Sequence, residues 1–465
     1  MGFVVLTLLP ILLGSFEIGG SYERYLIETR HEKASYELYK LTERLPVDTI
    51  YPLWPGPPIL APPQIRRTYV VVFKNPVSLS FLENKIKDIA VYIEPDRKIE
   101  LLGDSLYSHQ WALNNTGQLH EAIKKNPGCY DDSLIYVSGK VDSDIDAPEA
   151  WALEEKTERE TVLIGVIDSG CDSLHPDLDG AIYHNEGEIP DNGIDDDRNG
   201  FVDDYWGWDF SGDTTSITPY PDNDPTDQHG HGTHVAGIIA ARLNGIGIEG
   251  VARYSKILAV KMFPNSTISV ACQAILYAVS QGVKVINISW GSPYSSAILE
   301  DVLDFARNEG VVFAAAAGNS GESENPGLIS PANSPFTFAV GASDDRDFRA
   351  SFSSFGDGLQ IVAPGKDILS LRAKGTDMYG EGSCPEPDVH IVDEYWYIAS
   401  GTSMAAPHVT ASFGVLEELS YGLMPENIEE YLREGADDLL DPNDDGSYLP
   451  GWDKYSGYGL SLIHI

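Results

Sequence analysis

Buried-strand patterns alternate with helical patterns from residue 161 to residue 419. The strand-like runs are continuously apolar and read TVLIGVIDSG, KILAVKMF, VKVINISWG, VVFAAAAGNS, FTFAVGAS and LQIVAPG. Such runs are typical of strands buried on both faces of a parallel sheet. The intervening segments have helical periodicity, as in HVAGIIAARLN, SVACQAILYAVSQG, SAILEDVLDFARNEG and, after the last strand, SMAAPHVTASFGVLEEL. The alternation predicts an α/β fold, a three-layer, doubly wound, mostly parallel sheet with its site at the carboxyl ends of the strands.

The first hundred residues differ from the rest in pattern and in charge. From about residue 21 the chain looks helical and then proline-rich, and LWPGPPILAPPQ predicts a linker over 52–66. TYVVVFK, LSFLENKIKDI and AVYIEPDRKIELL then predict strand, helix and strand, a small α+β unit over 68–102. Residues 1–103 hold 12 acidic and 12 basic side chains, so the net charge of −40 belongs to the remainder. This break predicts a domain boundary at 103/104.

The strong acidity also limits the possible partners. Nucleic-acid binding needs Lys and Arg side chains against phosphates, so the charge of −40 argues against that class of protein. It is compatible with colloidal stability, with cation binding or with a saline medium.

The amino terminus predicts export. The apolar run FVVLTLLPILL is too short to span a bilayer and contains Pro10, so it indicates a signal peptide over 1–20, although basic residues before it are missing. We therefore expect a secreted protein without a membrane anchor after signal removal. Cys171 and Cys272 lie in apolar segments and are expected to be buried thiols. Cys129 and Cys384 lie in loops and could pair after export, a point that the sequence leaves open.

Three polar residues lie at strand ends or helix starts, where active sites of α/β sheets are found. Asp168 ends the run VLIGVID, His231 precedes a helical pattern, and Ser403 lies in the small-residue loop SGTSMAAPHV before a helix. A serine at a helix start is either a cap or a nucleophile, because free N–H groups and the helix dipole stabilise negative charge there. A nucleophilic hydroxyl needs a histidine base, and the histidine needs a carboxylate that orients it.

Four segments resemble a known family. VIDSGCDSLHPDL, HGHGTHVAG, AAAGNSG and SGTSMAAPHV are similar, in the same order, to the signature blocks of the subtilisin-like serine proteases, the subtilases. The resemblance implies that Asp168 orients His231, that His231 is the general base and acid, and that Ser403 is the nucleophile. It also implies that Asn319 donates its amide to the oxyanion together with the N–H of Ser403, whereas an isolated Gly-Asn pair would indicate only a turn.

The resemblance extends to substrate binding. It implies extended walls that pair with the substrate backbone, formed by Ser289, Trp290, Gly291, Ala315, Ala316 and Gly318. Ile329 aligns with the floor of the pocket for the residue before the cut. A branched side chain there makes the pocket shallow, which predicts a preference for medium apolar residues over large aromatic ones.

The three histidines of QHGHGTHVAG also allow a zinc site, and a zinc hydrolase is a minor alternative. We favour His231 as the base and His234 as a structural histidine, and we assign no role to His229.

The aspartates upstream predict calcium instead. Residues 195–200 reproduce the first half of an EF-hand loop, but its twelfth position is Trp206 rather than Glu. The expected ligands of this loop are Asp195, Asp197, Asn199, the carbonyl of Phe201, Asp203 and Asp204. The resemblance implies a second calcium site with Asp104, Asp177 and Asn244. A further half-loop at Asp441, Asn443, Asp445 and Gly446 is a weaker match.

The resemblance finally predicts the organisation of the chain. It implies a propeptide over 21–103 that acts as an intramolecular inhibitor, and a catalytic domain over 104–465. The expected protein is a secreted, calcium-stabilised serine endopeptidase that acts on proteins or peptides. A catalytically silent member, kept as a binding or structural module, is the alternative. Two departures from the family are Cys171, a core thiol or a target of heavy metals, and an insertion over 374–397 before the serine block.

Overall fold

The computed structural model describes much of the chain in two compact units, residues 1–101 and residues 102–465. The described residues are 21–30, 38, 40, 45, 47–52, 68–95, 104–124, 133–154, 159–212, 221–379, 390–439, 448 and 450–461. The predicted signal peptide, Cys129, Cys384 and the half-loop at 441–446 lie outside them.

The first unit contains an antiparallel four-stranded sheet in the order β2-β3-β1-β4. Its elements are β1 (Ser21–Thr29), β2 (Val47–Pro52), β3 (Thr68–Ser78), α1 (Leu79–Ile86) and β4 (Ala90–Pro95). The hydroxyl of Ser78 caps α1 by accepting the N–H of Phe81. Leu82 and Ile86 of α1 belong to the same buried cluster as Ile27 and Val71 of the sheet.

The prediction of helical character from residue 21 is wrong. Residues 21–29 form β1, which pairs with β3 on one side and with β4 on the other. Pairing on both edges outweighs the local pattern, because strand formation depends on neighbouring strands more than on intrinsic preference. The sheet of this unit therefore begins at Ser21, well before the strand–helix–strand segment at 68–102.

The second unit is built on a parallel sheet of seven strands in the order β13-β12-β11-β10-β7-β9-β8. Its strands are β7 (Leu163–Asp168), β8 (Gly207–Asp209), β9 (Lys256–Lys261), β10 (Val285–Ile288), β11 (Val312–Ala316), β12 (Phe338–Ser343) and β13 (Leu359–Pro364). Two antiparallel pairs of strands accompany it, β5 (Leu119–Lys124) with β6 (Ser133–Ser138), and β14 (Ile368–Leu371) with β15 (Trp396–Ala399). Its helices are α2 (Ala147–Glu154), α3 (His231–Ala240), α4 (Ile268–Ser280), α5 (Ala297–Asn308), α6 (Thr402–Leu419) and α7 (Pro425–Glu434).

Helices cover both faces of this sheet. On one face α3 and α6 contribute Val235 and Val409 to a large buried cluster, and on the other face α4 and α5 contribute Ile275 and Leu303 to a second cluster. Alternate residues of each strand enter the two clusters, as the period of two in a strand requires. The predicted three-layer, doubly wound fold is confirmed.

Helix α6 lies almost entirely inside the protein, with 16 of its 18 residues buried. Its sequence TSMAAPHVTASFGVLEEL supplies small side chains that allow close packing on the sheet. At Gly414 an added Cβ would lie 2.8 Å from Cδ1 of Ile164, so a larger residue would push the helix away. Burial along the whole helix fixes the position of its first turn, where Ser403 lies.

The order of the strands creates a switch point at the carboxyl ends of two central strands of the sheet. After β7 the chain adds β8 and β9 on one side of β7 and then β10 on the other side, so its direction of winding changes at β7, next to β10. Ligands of doubly wound sheets bind at such a point, outside the carboxyl ends of the strands. Asp168 ends β7 there, and Ser289 follows β10. No helix in the described part of the chain is long and apolar enough to cross a membrane.

Candidate active site

Asp168 and His231 are joined by a short hydrogen bond. Asp168 is the last residue of β7 and is 1% exposed, and His231 is the first residue of α3. The Nδ1 of His231 lies 2.7 Å from Oδ1 of Asp168, and the same oxygen accepts the N–H of Ser169 at 2.7 Å. The carboxylate therefore orients the ring, with Nδ1 as donor and Nε2 directed elsewhere.

The surroundings of His231 favour its protonated form more than water does. Burial lowers the pKa of His231, but the charge of Asp168, their hydrogen bond and the charge of Asp227 together raise it above its ordinary value. A histidine whose protonated form is stabilised in this way can accept a proton from a hydroxyl and later return it.

The close approach of α3 to the end of β7 depends on a glycine. A Cβ at Gly232 would lie 2.1 Å from the carbonyl oxygen of Gly170 and 3.1 Å from Cβ of Asp168. Any side chain at this position would separate the helix from the strand, so the residue after His231 has to be glycine.

Ser403 lies in the first turn of α6, where backbone N–H groups have no partner within the helix. Its hydroxyl donates to the carbonyl oxygen of Ser289 over 3.0 Å, and the hydroxyl of Ser289 donates to the carbonyl oxygen of Ser403 over 2.8 Å. Ser289 lines one cavity together with Asp168 and His231. The serine is thus bonded to a residue of the cavity that Asp168 and His231 also line, and it lies at the positive end of a buried helix.

Thr402 fixes the orientation of the Asn319 amide. The N–H and the hydroxyl of Thr402 both donate to Oδ1 of Asn319, over 2.9 and 3.0 Å. The amide NH₂ is therefore left on the other side, 3.4 Å from where a Cβ would stand at Gly401. Asn319 is exposed, and the backbone nitrogen of Ser403 lies 3.6 Å from the same Cβ position, so the two donors are on the same side of Gly401.

A cavity of about 540 Å³ opens beside the pair Asp168 and His231. The indole of Trp290 lines it and donates to the carbonyl oxygen of Ile167 over 2.8 Å. The other lining residues are Ser169, Gln228, His229, Lys261, Phe263, Pro264 and Ser289. Its size suits peptide side chains, and Phe263, Pro264 and Trp290 make much of its wall apolar.

Ile329 fills the space between two glycines. A Cβ at Gly291 would lie 2.4 Å from Cδ1 of Ile329, and a Cβ at Gly318 would lie 3.1 Å from its Cγ2. The structure therefore brings Gly291, Gly318 and Ile329 together, as expected for the two walls and the floor of a shallow pocket.

Ala315 and Ala316 differ in the strand edges that they leave open to a substrate backbone. Ala315 pairs with Ile288 of β10 and with Ala339 of β12, and Ala316 pairs with Val340 of β12. Both alanines are buried, at 0% and 3% exposure. The expectation that Ala315 pairs with a substrate strand is wrong, because β10 and β12 occupy both of its edges. In the described registers Ala316 pairs only with β12, so its part in the substrate wall stays a prediction.

The three histidines of the HGHGTH segment have separate environments. His234 is fully buried, its Nε2 donates towards the carbonyl oxygens of Ile368 and Tyr397 over 3.2 and 3.1 Å, and burial lowers its pKa to about 3. It is a neutral structural residue. The exposed ring of His229 lies 6.4 Å from that of His231, centroid to centroid. Among the described residues the rings do not form a metal-binding group; the one such group consists of carboxylates.

That group is Glu188, Asp197 and Asp204, whose oxygens lie within 4.8 Å of one another. The side-chain NH₂ of Asn199 donates to Asp197 over 3.2 Å and to Asp204 over 3.0 Å, and Asn185 also donates to both carboxylates. Carboxylate and amide oxygens are the ligands that calcium prefers, so the group fits such an ion. Glu188 and Asn185 were not expected from the sequence, because they precede the half-loop motif.

The other expected members of the loop hold its backbone. Asp195 accepts the N–H groups of Asn199 and Gly200 over 3.0 and 2.9 Å, and Asp203 accepts those of Asn192 and Gly193 over 3.0 and 2.8 Å. The ring of Phe201 packs against Trp208 and Tyr277, at centroid distances of 5.0 and 4.7 Å. The carboxylate group thus differs from the EF-hand pattern. Asp197 and Asp204 were expected from that pattern, whereas Glu188 precedes it.

The second expected calcium site contains two incompletely satisfied carboxylates. Oδ1 of Asp104 accepts the N–H groups of Asn244 and Gly245, over 3.1 and 2.6 Å, and Oδ2 of Asp177 accepts that of Ile248 over 3.1 Å. In the described part of the chain, the remaining oxygens, Oδ2 of Asp104 and Oδ1 of Asp177, are buried without a hydrogen-bond partner.

Burial raises the pKa of Asp104 and raises that of Asp177 to about 6. A bound cation would favour the ionised forms and satisfy both orphaned oxygens. The residues present therefore fit calcium.

Cys171 is buried, and burial raises the pKa of its thiol well above the ordinary value. A thiol that is both inaccessible and hard to ionise reacts poorly, which favours a core thiol over a target of heavy metals.

Comparison with known proteins agrees with this geometry. Residues 159–459 match the model of the subtilase family. The thermophilic serine proteinase of Bacillus sp. (strain AK1) is 35% identical over 280 residues, which are 59% of this chain and 56% of that protein. Fervidolysin of Fervidobacterium pennivorans is 30% identical over 450 residues, covering 90% of this chain and 56% of its own length. Thermitase of Thermoactinomyces vulgaris is 34% identical over 301 residues, which are 63% of this chain and 87% of that protein.

A solved protease structure from Pseudoalteromonas arctica has a TM-score of 0.55 at 22% identity and covers 78% of this chain and 98% of that one, a likeness of fold. The chain spans little more than half the length of the thermophilic proteinase and of fervidolysin. The family match covers well over half of the chain and contains Asp168, His231, Asn319 and Ser403. The chain belongs to the subtilase family.

Proposed function

We propose that this protein is a serine endopeptidase whose catalytic residues are Asp168, His231, Ser403 and Asn319. The observation that carries the proposal is the 2.7 Å bond between His231 and Asp168, in a cavity whose lining residue Ser289 is bonded to a serine in the first turn of a buried helix. The oriented amide of Asn319 supports it, because Thr402 holds the amide oxygen and leaves the NH₂ to act as the oxyanion donor. Hydrolysis of a fluorogenic peptide by purified protein, with Ser403→Ala as the control, tests it.

In the proposed reaction the Oγ of Ser403 attacks the carbonyl carbon of the scissile peptide bond. The Nε2 of His231 takes the hydroxyl proton, and Asp168 stabilises the resulting imidazolium. The side-chain NH₂ of Asn319 and the N–H of Ser403 bind the oxyanion. His231 then gives its proton to the leaving amine, and water releases the acyl group by the same steps. Because the hydroxyl donates to Ser289 in this structure, it has to turn towards His231 when substrate arrives.

We further propose that the protein is secreted after loss of residues 1–20 and that residues 21–103 form an inhibitory propeptide. Support comes from the charge break at 103/104 and from the compact unit that ends at residue 101. Mass spectrometry of the active secreted protein should show a first residue close to Asp104. An active protein that retained residues 1–103 intact would contradict this proposal.

Calcium is the proposed structural cofactor. Glu188, Asp197 and Asp204 would hold one ion, and Asp104, Asp177 and Asn244 would hold another. Each ion would hold together loop segments whose carboxylates would otherwise repel one another. Their role is stability, since neither group includes a catalytic residue.

We expect chelation to lower the melting temperature and to speed autolysis. Calcium at 100 times its Kd stabilises a native state by about 3 kcal/mol. Asp197→Asn and Asp177→Asn should each remove part of the calcium-dependent rise in melting temperature, because each deletes one proposed ligand. Asp179→Asn, a neighbouring exposed carboxylate, is the control. An identical melting temperature with and without chelator would refute the calcium proposal.

The pocket above Ile329 should select medium apolar residues before the cut. In a peptide panel that varies this position, we expect Leu or Ala to be cleaved faster than Phe or Tyr. Ile329→Gly opens the space between Gly291 and Gly318 and should shift the preference towards Phe and Tyr by about tenfold or more. Equal cleavage after Phe, Tyr, Leu and Ala by the wild-type protein would show that Ile329 does not limit the pocket.

A further inference from the structure

We propose that Asp227 is a positioning residue that ties the start of helix α3 to the end of strand β7 and so holds His231 against Asp168. The inference rests on the proposed function, because its readout is the reaction of Ser403. Asp227 lies in the loop that precedes α3 and is 5% exposed.

The carboxylate of Asp227 accepts five hydrogen bonds. Its Oδ1 accepts the hydroxyl of Ser169 over 2.9 Å and the N–H groups of His229 and Gly230 over 2.9 and 2.8 Å. Its Oδ2 accepts the N–H and the hydroxyl of Thr233 over 2.9 and 2.7 Å. All five partners are donors, so both oxygens of the group serve as acceptors, and every bond is directed to a residue next to Asp168 or near His231.

These bonds replace an ordinary helix cap. The cap position of α3 is Gly230, which has no side chain to accept the first free N–H groups. Instead the hydroxyl oxygen of Ser169 accepts the N–H of Gly232 over 2.9 Å, and Asp227 accepts that of Thr233. Residues outside the helix thus cap the turn that begins with His231, which fixes that turn relative to them.

Ser169 connects this cap to the catalytic carboxylate. It follows Asp168 directly, and its N–H donates to the same Oδ1 that binds His231. Its hydroxyl donates to Asp227 while accepting from Gly232. Loss of Asp227 would therefore remove the carboxylate that joins Ser169 to Thr233 and would leave only the direct bonds of Gly232 to Ser169 and of His231 to Asp168. A misplacement of about 1 Å in a catalytic group can lower a rate about 10²-fold.

Asp227 also places a second negative charge near His231. Burial lowers the pKa of His231, whereas Asp168 and then Asp227 raise it. The charged or titratable groups around His231 are Asp168 from β7, Asp227 and His229 from the loop, His234 from α3, and Lys261 from β9, which is paired with Asp209 at 3.1 Å. Removing the charge of Asp227 lowers the pKa of His231. The neutral base then persists to lower pH, so the acid limb of the activity profile moves to lower pH.

The test is Asp227→Asn in the mature enzyme, with active sites counted by a fluorophosphonate. We expect kcat/KM per titrated site to fall about 10²-fold and its acid limb to move to lower pH. Ser169→Ala breaks the same connection but keeps the charge, so we expect a fall without a shift of the acid limb. Asp224→Asn, an exposed carboxylate of the same loop, should change neither quantity.

Wild-type kcat/KM per titrated site and an unmoved acid limb in Asp227→Asn would overturn the proposal, even if stability fell. If Asp227→Asn does not fold, Ser169→Ala decides, and wild-type kcat/KM per titrated site in that variant would overturn it. Failure of the wild-type protein to react with the fluorophosphonate would instead contradict the proposed function.

Discussion

Replacing Ser403 by alanine is expected to lower kcat for peptide hydrolysis about 10⁶-fold, a magnitude that comes from subtilisin, a relative of this chain. Without the hydroxyl, no acyl-enzyme forms, and the residual rate comes from the oxyanion donors and substrate binding alone. The fold should persist, because the hydroxyl makes a single hydrogen bond to Ser289 at the surface of the crevice. The measurement is the initial rate with a fluorogenic peptide at saturating concentration.

Ser412→Ala is the matched control for this variant. Ser412 is a buried serine of the same helix, and its hydroxyl donates to the carbonyl oxygen of His408 over 2.9 Å. Its loss should cost about 1 kcal/mol of stability and leave kcat within a few-fold of wild type. A Ser403→Ala protein that kept a tenth or more of wild-type kcat would rule out Ser403 as the nucleophile.

Asp168→Asn is expected to lower kcat about 10⁴-fold, as the corresponding change does in another serine protease. An amide in place of the carboxylate can donate to Nδ1 and so selects the wrong tautomer of His231. It also removes the charge that offsets burial, so the pKa of His231 falls. The base stays neutral to lower pH, and the acid limb of the residual activity should move to lower pH.

The full pH profile of kcat/KM is the measurement for Asp168→Asn. Asp172→Asn provides the control, since Asp172 accepts the N–H groups of Leu174 and Lys374 rather than a bond from His231. A fall of less than tenfold, or an acid limb that moved to higher pH, would contradict the role assigned to Asp168.

The sheet of the second unit was predictable because its strands are buried on both faces. Runs such as LIGVID and VINI have no polar alternation, and helices of clear periodicity separate them. β1 was missed because its nine residues carry no such signal and become a strand through pairing with β3 and β4. The role of Ala315 was misjudged for a related reason. Sequence does not reveal which edges of a strand its neighbours occupy.

The proposed catalytic residues could be named from the sequence because each lies in a motif whose glycines and small residues have their own structural reasons. Gly232, for example, allows α3 to approach Asp168. Side chains that come together from separate loops have no such motif in the sequence. Glu188 and Asn185 join Asp197 and Asp204 only in the folded chain, and the five bonds of Asp227 connect residues that look like ordinary turn formers.

Labelling with a fluorophosphonate, followed by peptide mapping, tests the central claim most directly. The reagent forms a covalent bond only with a serine whose hydroxyl is activated by a base and whose oxyanion is stabilised. We predict stoichiometric labelling of purified mature protein on the peptide that contains Ser403. Labelling should be abolished by Ser403→Ala and strongly slowed by Asp168→Asn. An unlabelled wild-type protein, or a label on another residue, would contradict the assignment of Ser403, His231 and Asp168 as a working catalytic triad.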